Sequence, residues 1–127
     1  SSRSSSSPTR SARCSCCAVV PALAQRRGFV AQVSAVVAEQ PLPGMAAYAA
    51  SKAALTAADK ALTRELRRCG VDVIDIRPPH TETGLAGRPL AGSAPPLPQG
   101  LDPDAVARQI LDAVESGRPE LASTDFA

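Results

Sequence analysis

The sequence predicts an α/β fold built around a parallel sheet, and three consecutive segments carry this prediction. Residues 29–34 form a short and almost continuous apolar run, as in a strand covered on both faces, and residues 71–76 contain the β-branched residues that favour a second strand. Residues 45–68, between them, are rich in Ala and Leu and predict a long helix. A helix that joins two strands makes a βαβ unit, which is normally parallel and right-handed.

The boundaries of this unit carry the residues that such boundaries favour. Pro41, Pro43 and Gly44 predict the loop between the first strand and the helix. At the other end, two Arg side chains place cations near the negative end of the helix dipole, and Gly70 follows them. The helix is therefore expected to end near residue 68.

Residues 77–101 are rich in Pro and Gly and predict a long loop. Such a loop is either a lid over a functional site or a mobile linker, and the sequence leaves both open. Asp102 and Pro103 then supply the N-cap and the first position of a last helix that ends at Gly117. The predicted apolar stripe of this helix consists of Val106, Ile110, Leu111 and Val114. Residues 118–127 predict no element.

The start of the chain differs from the rest. Residues 1–17 are rich in Ser, Arg and Cys without periodicity, which predicts a disordered tail ahead of a domain at residues 18–127. A Ser- and Arg-rich start without acids also occurs in transit peptides. The tail's Cys-x-Cys-Cys cluster at residues 14–17 lacks the paired ligands of a zinc site, so we expect no metal and reduced thiols in the cytoplasm.

Length and charge exclude several classes of function. The chain has 127 residues, enough for one small domain. Its formal net charge is +2, but residues 1–27 carry five Arg and no acid, which leaves the remainder at −3. We therefore expect no binding to nucleic acid. No apolar run approaches the roughly 20 residues of a membrane-spanning helix, so we expect no membrane insertion.

Tyr48 and Lys52 are the strongest candidates for chemistry. Tyr48 is the only tyrosine, Lys52 is one of two lysines, and four residues separate them within the predicted helix. Side chains at this spacing share a helix face, so the ammonium is expected near the phenol. A nearby cation favours a phenolate and prepares it for acid/base work near neutral pH. The alternative is structural: a surface Lys and a half-buried Tyr on an Ala-rich helix.

The segments around this pair resemble the C-terminal half of the short-chain dehydrogenase/reductase family over about residues 28–118. The matching order is a strand, a Pro/Gly loop, a Tyr-x-x-x-Lys helix, a second strand and a Pro-rich turn with Thr. The resemblance implies a partial Rossmann-like, doubly wound parallel sheet, with about two of the family's seven strands. It also implies a cytoplasmic enzyme that moves a hydride between NAD or NADP and a small carbonyl or alcohol substrate.

The resemblance also assigns roles to residues. In the family, the Tyr gives or takes the oxygen-bound proton, while the Lys tunes it and holds the nicotinamide ribose hydroxyls; Tyr48 and Lys52 match these positions. Residues 78–83 resemble the family's Pro-Gly turn along the nicotinamide, which makes four of them cofactor-binding candidates: Pro78, Pro79, Thr81 and Thr83. The alternative is that the prolines only end the strand and the Thr residues solvate a loop. His80 is expected to be an exposed loop residue.

Three departures from the family limit the expectation of activity. The family's catalytic Ser falls at Ala35, whereas Ser34 is its neighbour and points to the opposite face if the strand continues. The family's assisting Asn is missing because the chain has no Asn. None of the eight glycines forms a Gly-rich pyrophosphate turn. We therefore expect a truncated oxidoreductase without its dinucleotide-binding half.

A second function stays open from another class. The helix at residues 45–68 resembles the one through which family members dimerise, and its small residues permit close approach of another helix. The chain is then either part of an enzyme that forms a homo-oligomer, or a non-catalytic remnant that pairs with an intact relative.

Overall fold

The computed structural model describes residues 18–126, and the predicted tail at residues 1–17, with its three cysteines, lies outside them. Three parallel strands form one sheet in the order β1-β2-β3. They are β1 (Phe29–Val33), β2 (Asp72–Ile76) and β3 (Glu120–Leu121). β1 pairs with β2 along its whole length, so that Phe29 lies opposite Asp72 and Val33 opposite Ile76. The predicted α/β class with a parallel sheet is confirmed.

Three helices connect or flank these strands. α1 (Val20–Gln25) precedes β1, α2 (Ala46–Leu66) joins β1 to β2, and α3 (Pro103–Glu115) joins β2 to β3. Short 3₁₀ turns follow β1, α2 and β3, at Val36–Ala38, Arg67–Cys69 and Ser123–Asp125. In residues 18–126 no helix is both long and apolar enough to cross a membrane.

The central strand β2 is covered by helices on both faces. Val71 and Val73 pack with Leu62 and Leu66 of α2, and partly buried side chains of α1 join this cluster. The neighbouring side chains of β2 point the other way because strand residues alternate between faces. These side chains of β2 pack with residues of α3, β3 and the C-terminal segment in a second core. This core consists of Ile74, Ile76, Val106, Ala113, Leu121 and Phe126. The fold is therefore a three-layer α/β/α arrangement.

This arrangement gives the two crossovers opposite hands. The strands run parallel in the order β1-β2-β3, yet the connecting helices α2 and α3 lie on opposite faces of the sheet. One of the two βαβ units therefore departs from the right-handed rule that applies to nearly all parallel crossovers. As a result, the sheet is sandwiched even though it has only three strands.

The helix boundaries follow the capping residues. The Asp102 carboxylate accepts a hydrogen bond of 2.9 Å from the backbone N–H of Ala105, as expected of an N-cap. Gly70 and Gly117 both have positive φ, at 69° and 68°, and end α2 with its 3₁₀ turn and α3. The predicted ends of these elements agree with the structure to within a few residues.

Two expectations about the C-terminal part are corrected. Residues 118–127 predicted no element, but Leu121 pairs in β3 and is 3% exposed, and Phe126 is buried beside α3. Leu111 was assigned to the apolar stripe of α3, but it is 60% exposed. Ala113 takes its place in the core at 2% exposed. Ala113 lies one turn from Ile110 and two turns from Val106 along the helix, so these three share the face toward β2.

Candidate active site

The carboxyl ends of β1 and β2 form one edge, and the chain leaves both strands there. The backbone N–H of Ser34 donates to the carbonyl of Ile76 at 2.8 Å. Beyond the strands, the N–H of Val36 donates to the carbonyl of Pro78 at 2.9 Å. The segment that leads to α2 and the turn that follows β2 are therefore held side by side.

Helix α2 runs back across the sheet from this edge. Two contacts fix the position of α2 along the sheet. Gln32 Nε2 donates to the carbonyl of Leu55 at 3.3 Å, and the hydroxyls of Ser34 and Thr56 lie 3.3 Å apart. Tyr48 lies eight residues before Thr56, which is about 12 Å along the helix axis at 1.5 Å per residue. The first turns of α2 therefore project past the end of β1, toward the turn after β2.

Tyr48 and Lys52 meet on this projecting part of the helix. The Nζ atom of Lys52 lies over the Tyr48 ring, 5.6 Å from its centroid. This is within the range in which an ammonium is attracted to an aromatic face. Tyr48 is 39% exposed and Lys52 is half-buried, so both groups are open to a ligand at the edge of the sheet.

The turn after β2 places the other four candidates next to this edge. Pro78 and Pro79 are half-buried, and the Thr81 hydroxyl donates to the carbonyl of Pro79 at 3.0 Å. The N–H of Thr83 donates to the carbonyl of Thr81 at 2.8 Å, which makes the turn tight. The Thr83 side chain is exposed, and the turn follows the strand end that is hydrogen-bonded to the segment before α2.

The long loop is closed at its base. Thr81 and Leu101 form an isolated parallel bridge, in which Leu101 N–H donates to the carbonyl of His80 and Glu82 N–H to that of Leu101. Glu82 also accepts from the N–H of Gly100 at 2.7 Å and lies 3.3 Å from His80 Nε2. The expectation of an exposed His80 is wrong, because its side chain is only 25% exposed within this base.

Ser34 and Ala35 differ in where they face. Ser34 is 4% exposed, and its hydroxyl lies between Thr56 on α2 and the Ile76 carbonyl on β2, at 3.3 Å from each. Ala35 follows in an extended conformation, with φ −168° and ψ 163°, so its side chain points to the other side of the chain. The Ser34 hydroxyl is therefore engaged in the helix–sheet interface.

A buried ionic cluster under the site was not predicted from the sequence. Arg77, which is 7% exposed, forms ion pairs with Asp75 on its own strand, with Glu39 after β1 and with Glu120 on β3. Burial opposes the charge of Arg77, but its carboxylate partners outweigh burial and raise the pKa of Arg77. The signal in the sequence was the pair of opposite charges two residues apart, with Asp75 inside the second predicted strand and Arg77 directly after it.

Glu39 extends this cluster to the C-terminal segment. Its carboxylate accepts from the Ser123 hydroxyl at 2.6 Å and from the Ser123 N–H at 3.3 Å. Burial alone would raise the pKa of Glu39, but the hydrogen bonds from Ser123 and Arg77 hold it below its ordinary value. The cluster thus ties the segment before α2 to the segment after β3.

The described residues show no group of His, Cys, Asp or Glu that could hold a metal ion. What the edge of the sheet offers instead is a phenol beside an ammonium, next to a Pro/Thr turn. This set can exchange a proton with a ligand and donate hydrogen bonds to it. In open α/β sheets, ligands bind at the carboxyl ends of the strands.

Comparison with known proteins finds matches to one family. A profile described as short chain dehydrogenase matches residues 10–91, which is more than half of the chain and begins within the predicted tail. A Drosophila melanogaster protein named dehydrogenase/reductase SDR family protein 7-like is 28% identical over 116 residues, covering 85% of this chain and 36% of that protein. Mouse estradiol 17-beta-dehydrogenase 2 is 37% identical over 70 residues, covering 55% of this chain and 18% of the relative.

Solved structures agree with the sequence matches. A short-chain dehydrogenase from Sphingobium yanoikuyae in complex with NADPH has a TM-score of 0.70 at 30% identity, over 85% of this chain and 41% of that one. One from Burkholderia cenocepacia in complex with NADP has a TM-score of 0.69 at 28% identity, over 81% of this chain and 40% of that one. This chain thus spans about two-fifths of the length of these two solved structures, and 36% and 18% of the Drosophila and mouse relatives.

Proposed function

The chain belongs to the short-chain dehydrogenase/reductase family, and from this membership we propose that it forms the catalytic part of an NAD(P)-dependent oxidoreductase. The observation that carries the proposal is the Tyr48–Lys52 pair, with Lys52 Nζ 5.6 Å from the ring centroid at the ligand-binding edge of a parallel sheet. The substrate class is a small carbonyl compound or the corresponding alcohol.

The residues present fit the nicotinamide end of such a cofactor. Lys52 is a half-buried donor beside Tyr48, suited to the ribose hydroxyls, and the turn with Pro78, Pro79, Thr81 and Thr83 would line the carboxamide side. Bound NADH or NADPH supplies the hydride that the protein itself lacks. The sequence holds no Gly-rich turn for the pyrophosphate, so we propose that the dinucleotide-binding half lies outside this chain.

Tyr48 is proposed as the group that moves the proton. As a carbonyl carbon gains a hydride, its oxygen becomes an alkoxide and takes a proton from the Tyr48 hydroxyl. The phenolate that remains is stabilised by the positive charge of Lys52 over the ring. In the reverse direction, the same phenolate accepts the proton of the alcohol.

Ala35 implies that one hydrogen-bond donor to the carbonyl oxygen is missing. The Ser34 hydroxyl does not replace it, because it is engaged with Thr56 and the Ile76 carbonyl. Loss of one such donor typically lowers the rate by about 10²–10³. The proposed activity is therefore slow relative to enzymes with a complete set of donors.

The test of this proposal uses the two lysines of the chain. Lys52 and Lys60 lie on the same helix, but only Lys52 lies over Tyr48. Oxidation of NADH and NADPH at 340 nm is followed with a panel of aldehydes and ketones, in the longer protein that also contains the proposed dinucleotide-binding half. We expect Lys52→Ala to raise the KM for the cofactor and lower kcat, with kcat/KM falling at least about 10²-fold. Lys60→Ala is the matched control and should leave both constants unchanged. Equal effects of the two substitutions would refute the assignment.

A second candidate function is pairing without catalysis. The outward face of α2 consists of exposed small residues, which permit another helix to approach closely: Ala47, Ala50, Ala54, Ala57, Ala58 and Ala61. Under this alternative the chain binds an intact relative, or a second copy of itself, through α2. Such pairing would persist in Tyr48→Phe, whereas hydride transfer would not.

A further inference from the structure

Asp59 is a buried carboxyl group whose oxygens accept no hydrogen bond from residues 18–126. It lies in the middle of α2 on the face toward the sheet and is 1% exposed. Neither carboxylate oxygen has a hydrogen-bond donor within the described part of the chain. An ionised carboxylate at such a position is strongly unfavourable, because burial removes its hydration without replacing it.

Asp75, on the facing strand β2, is surrounded differently. One of its carboxylate oxygens accepts from the Thr56 hydroxyl at 3.4 Å, and the other pairs with the buried guanidinium of Arg77. Both partners are ones that a carboxylate accepts: a hydroxyl donor and a cation. Asp59 and Asp75 line the same cavity, and the charge of Asp75 and a hydrogen bond with it act on the Asp59 carboxyl. Two adjacent carboxylates cannot both ionise cheaply.

We propose that Asp59 and Asp75 share one proton, carried by Asp59, and that this carboxyl–carboxylate hydrogen bond fastens helix α2 to strand β2 until the proton is lost. The neutral Asp59 carboxyl donates its O–H to the Asp75 carboxylate. This O–H is the hydrogen-bond donor of the pair, and it gives the buried Asp59 carboxyl a partner. Loss of the proton leaves two adjacent carboxylates and one guanidinium in the same interface.

The electrostatics around Asp59 favour its protonated form, as the shared proton requires. Burial, and then the charge and the hydrogen bond of Asp75, raise the pKa of Asp59 from 3.8 to about 6. The folded protein therefore keeps this proton between about pH 4 and 6, where the unfolded chain has lost it. Stability from this pair is full below that window, falls as pH rises through it, and stays lower above it.

The charged groups around Asp59 come from every element packed on it. The carboxylates of Asp75 and Glu120 and the guanidinium of Arg77 belong to the sheet. A cavity of about 260 Å³ beside Asp59 is also lined by basic side chains of α2 and its 3₁₀ turn: Lys60, Arg64 and Arg67. None of the three forms an ion pair with Asp59 among the described residues.

The pair has a consequence for the proposed catalytic residues. Asp59 lies seven residues after Lys52, so both face the sheet side of one continuous helix. The stability with which α2 packs on β2 therefore depends on protonation of Asp59, with a midpoint near pH 6. The shared proton does not require hydride transfer, so the two proposals fail or succeed separately.

The direct test is carboxyl-detected NMR of the ¹³C-labelled protein between pH 3 and 8. We expect the Asp59 Cγ shift to move with a midpoint near pH 6. A midpoint near 4, the ordinary value for aspartate, would overturn the proposal. This measurement uses the wild-type protein and needs no variant to fold.

Asp59→Asn gives an independent test, because the Asn amide can donate to Asp75 at every pH. Between pH 5 and 7.5 we expect the folding equilibrium constant of the wild type to fall roughly tenfold more than that of Asp59→Asn. Asp112→Asn, at an exposed position on α3, is the matched control and should follow the wild type. If the wild type and Asp59→Asn show the same pH dependence, the shared proton is ruled out.

Discussion

At the residue scale, the two positions after β1 determine which side chain can reach a ligand. Ser34 turns its hydroxyl into the interface between α2 and β2, whereas Ala35, in extended backbone, points the other way. We propose that the family's Ser position is Ala35 here, so that the ligand side of the edge lacks a hydroxyl at this point. This difference gives a test in which two neighbouring substitutions have opposite expected effects.

Ala35→Ser should restore the missing donor. We expect kcat/KM for carbonyl reduction to rise roughly tenfold, a fraction of the 10²–10³ that removal of a preorganised donor costs. Steady-state kinetics at 340 nm measures this, and cofactor KM should change little because the hydroxyl faces the substrate.

Ser34→Ala is the companion variant. It removes the contacts with Thr56 and the Ile76 carbonyl, so we expect the free energy of unfolding to fall by about 1 kcal/mol. Its kcat/KM should stay at the wild-type value. If Ser34→Ala abolishes turnover while Ala35→Ser has no effect, Ser34 is the residue at the site and the assignment is reversed.

Sequence reasoning at this scale works for neighbours in the chain and fails for neighbours in space. The spacing of Tyr48 and Lys52 implies a shared helix face, and the structure places them 5.6 Å apart, ring centroid to Nζ. Asp59 meets Asp75 only when α2 packs on β2, and Glu39 and Glu120 reach Arg77 only when the three strands align. No local sequence pattern specifies which strand a helix face packs against, so these contacts could not be predicted from the sequence.

At the element scale, the predictable features are those with capping residues and sufficient length. α2 and α3 end near Gly70 and Gly117 because left-handed backbone there suits glycine. β3 pairs only with β2. Because it has two residues, it is too short to show the alternating pattern of a strand. Leu111 was misplaced because it adjoins Ile110, and only packing against the sheet shows which side of the stripe is buried.

The loop base at residues 80–82 and 100–101 depends on a glycine. A Cβ at Gly100 would lie 2.7 Å from the His80 carbonyl oxygen, so Gly100→Ala must push the two strands of the base apart. We expect the amides of Glu82 and Leu101, which close the base, to exchange at least about tenfold faster with deuterium.

Gly87→Ala serves as the control within the same loop. A Cβ there meets only the Gly84 carbonyl oxygen, at 3.8 Å, which is ordinary contact. Its exchange at Glu82 and Leu101 should match the wild type. Unchanged protection in Gly100→Ala would show that the bridge does not hold the loop closed.

At the scale of the whole molecule, one buried Arg connects the parts that carry the candidate site. Arg77 binds Glu39 from the segment before α2 and Glu120 from β3, and it directly precedes the Pro78–Pro79 turn. Through Glu39 the connection reaches Ser123. The edge with Tyr48, Lys52 and the turn is therefore anchored on all three strands.

The fold class was predictable as a whole because strand, helix and strand follow in an order that permits few topologies. The estimate of about two strands was too low, since the structure has three, and the opposite hands of the two crossovers have no sign in the sequence. The solved relatives confirm a Rossmann-like α/β sheet, of which this chain covers about two-fifths. The site proposed here lies at the edge where that sheet binds its ligand.

The central claim is that Tyr48 exchanges the proton that accompanies hydride transfer. The most direct measurement follows deuterium from C4-deuterated NADH or NADPH into the carbon-bound position of the alcohol product, by mass spectrometry, for the wild type and Tyr48→Phe. We predict deuterated alcohol from the wild type and a loss of at least about 10²-fold in Tyr48→Phe, which keeps the ring beneath Lys52 but has no proton to give. Both are measured in the longer protein that also contains the proposed dinucleotide-binding half. Equal deuterium transfer by the two, or none by the wild type with either cofactor, would contradict the account.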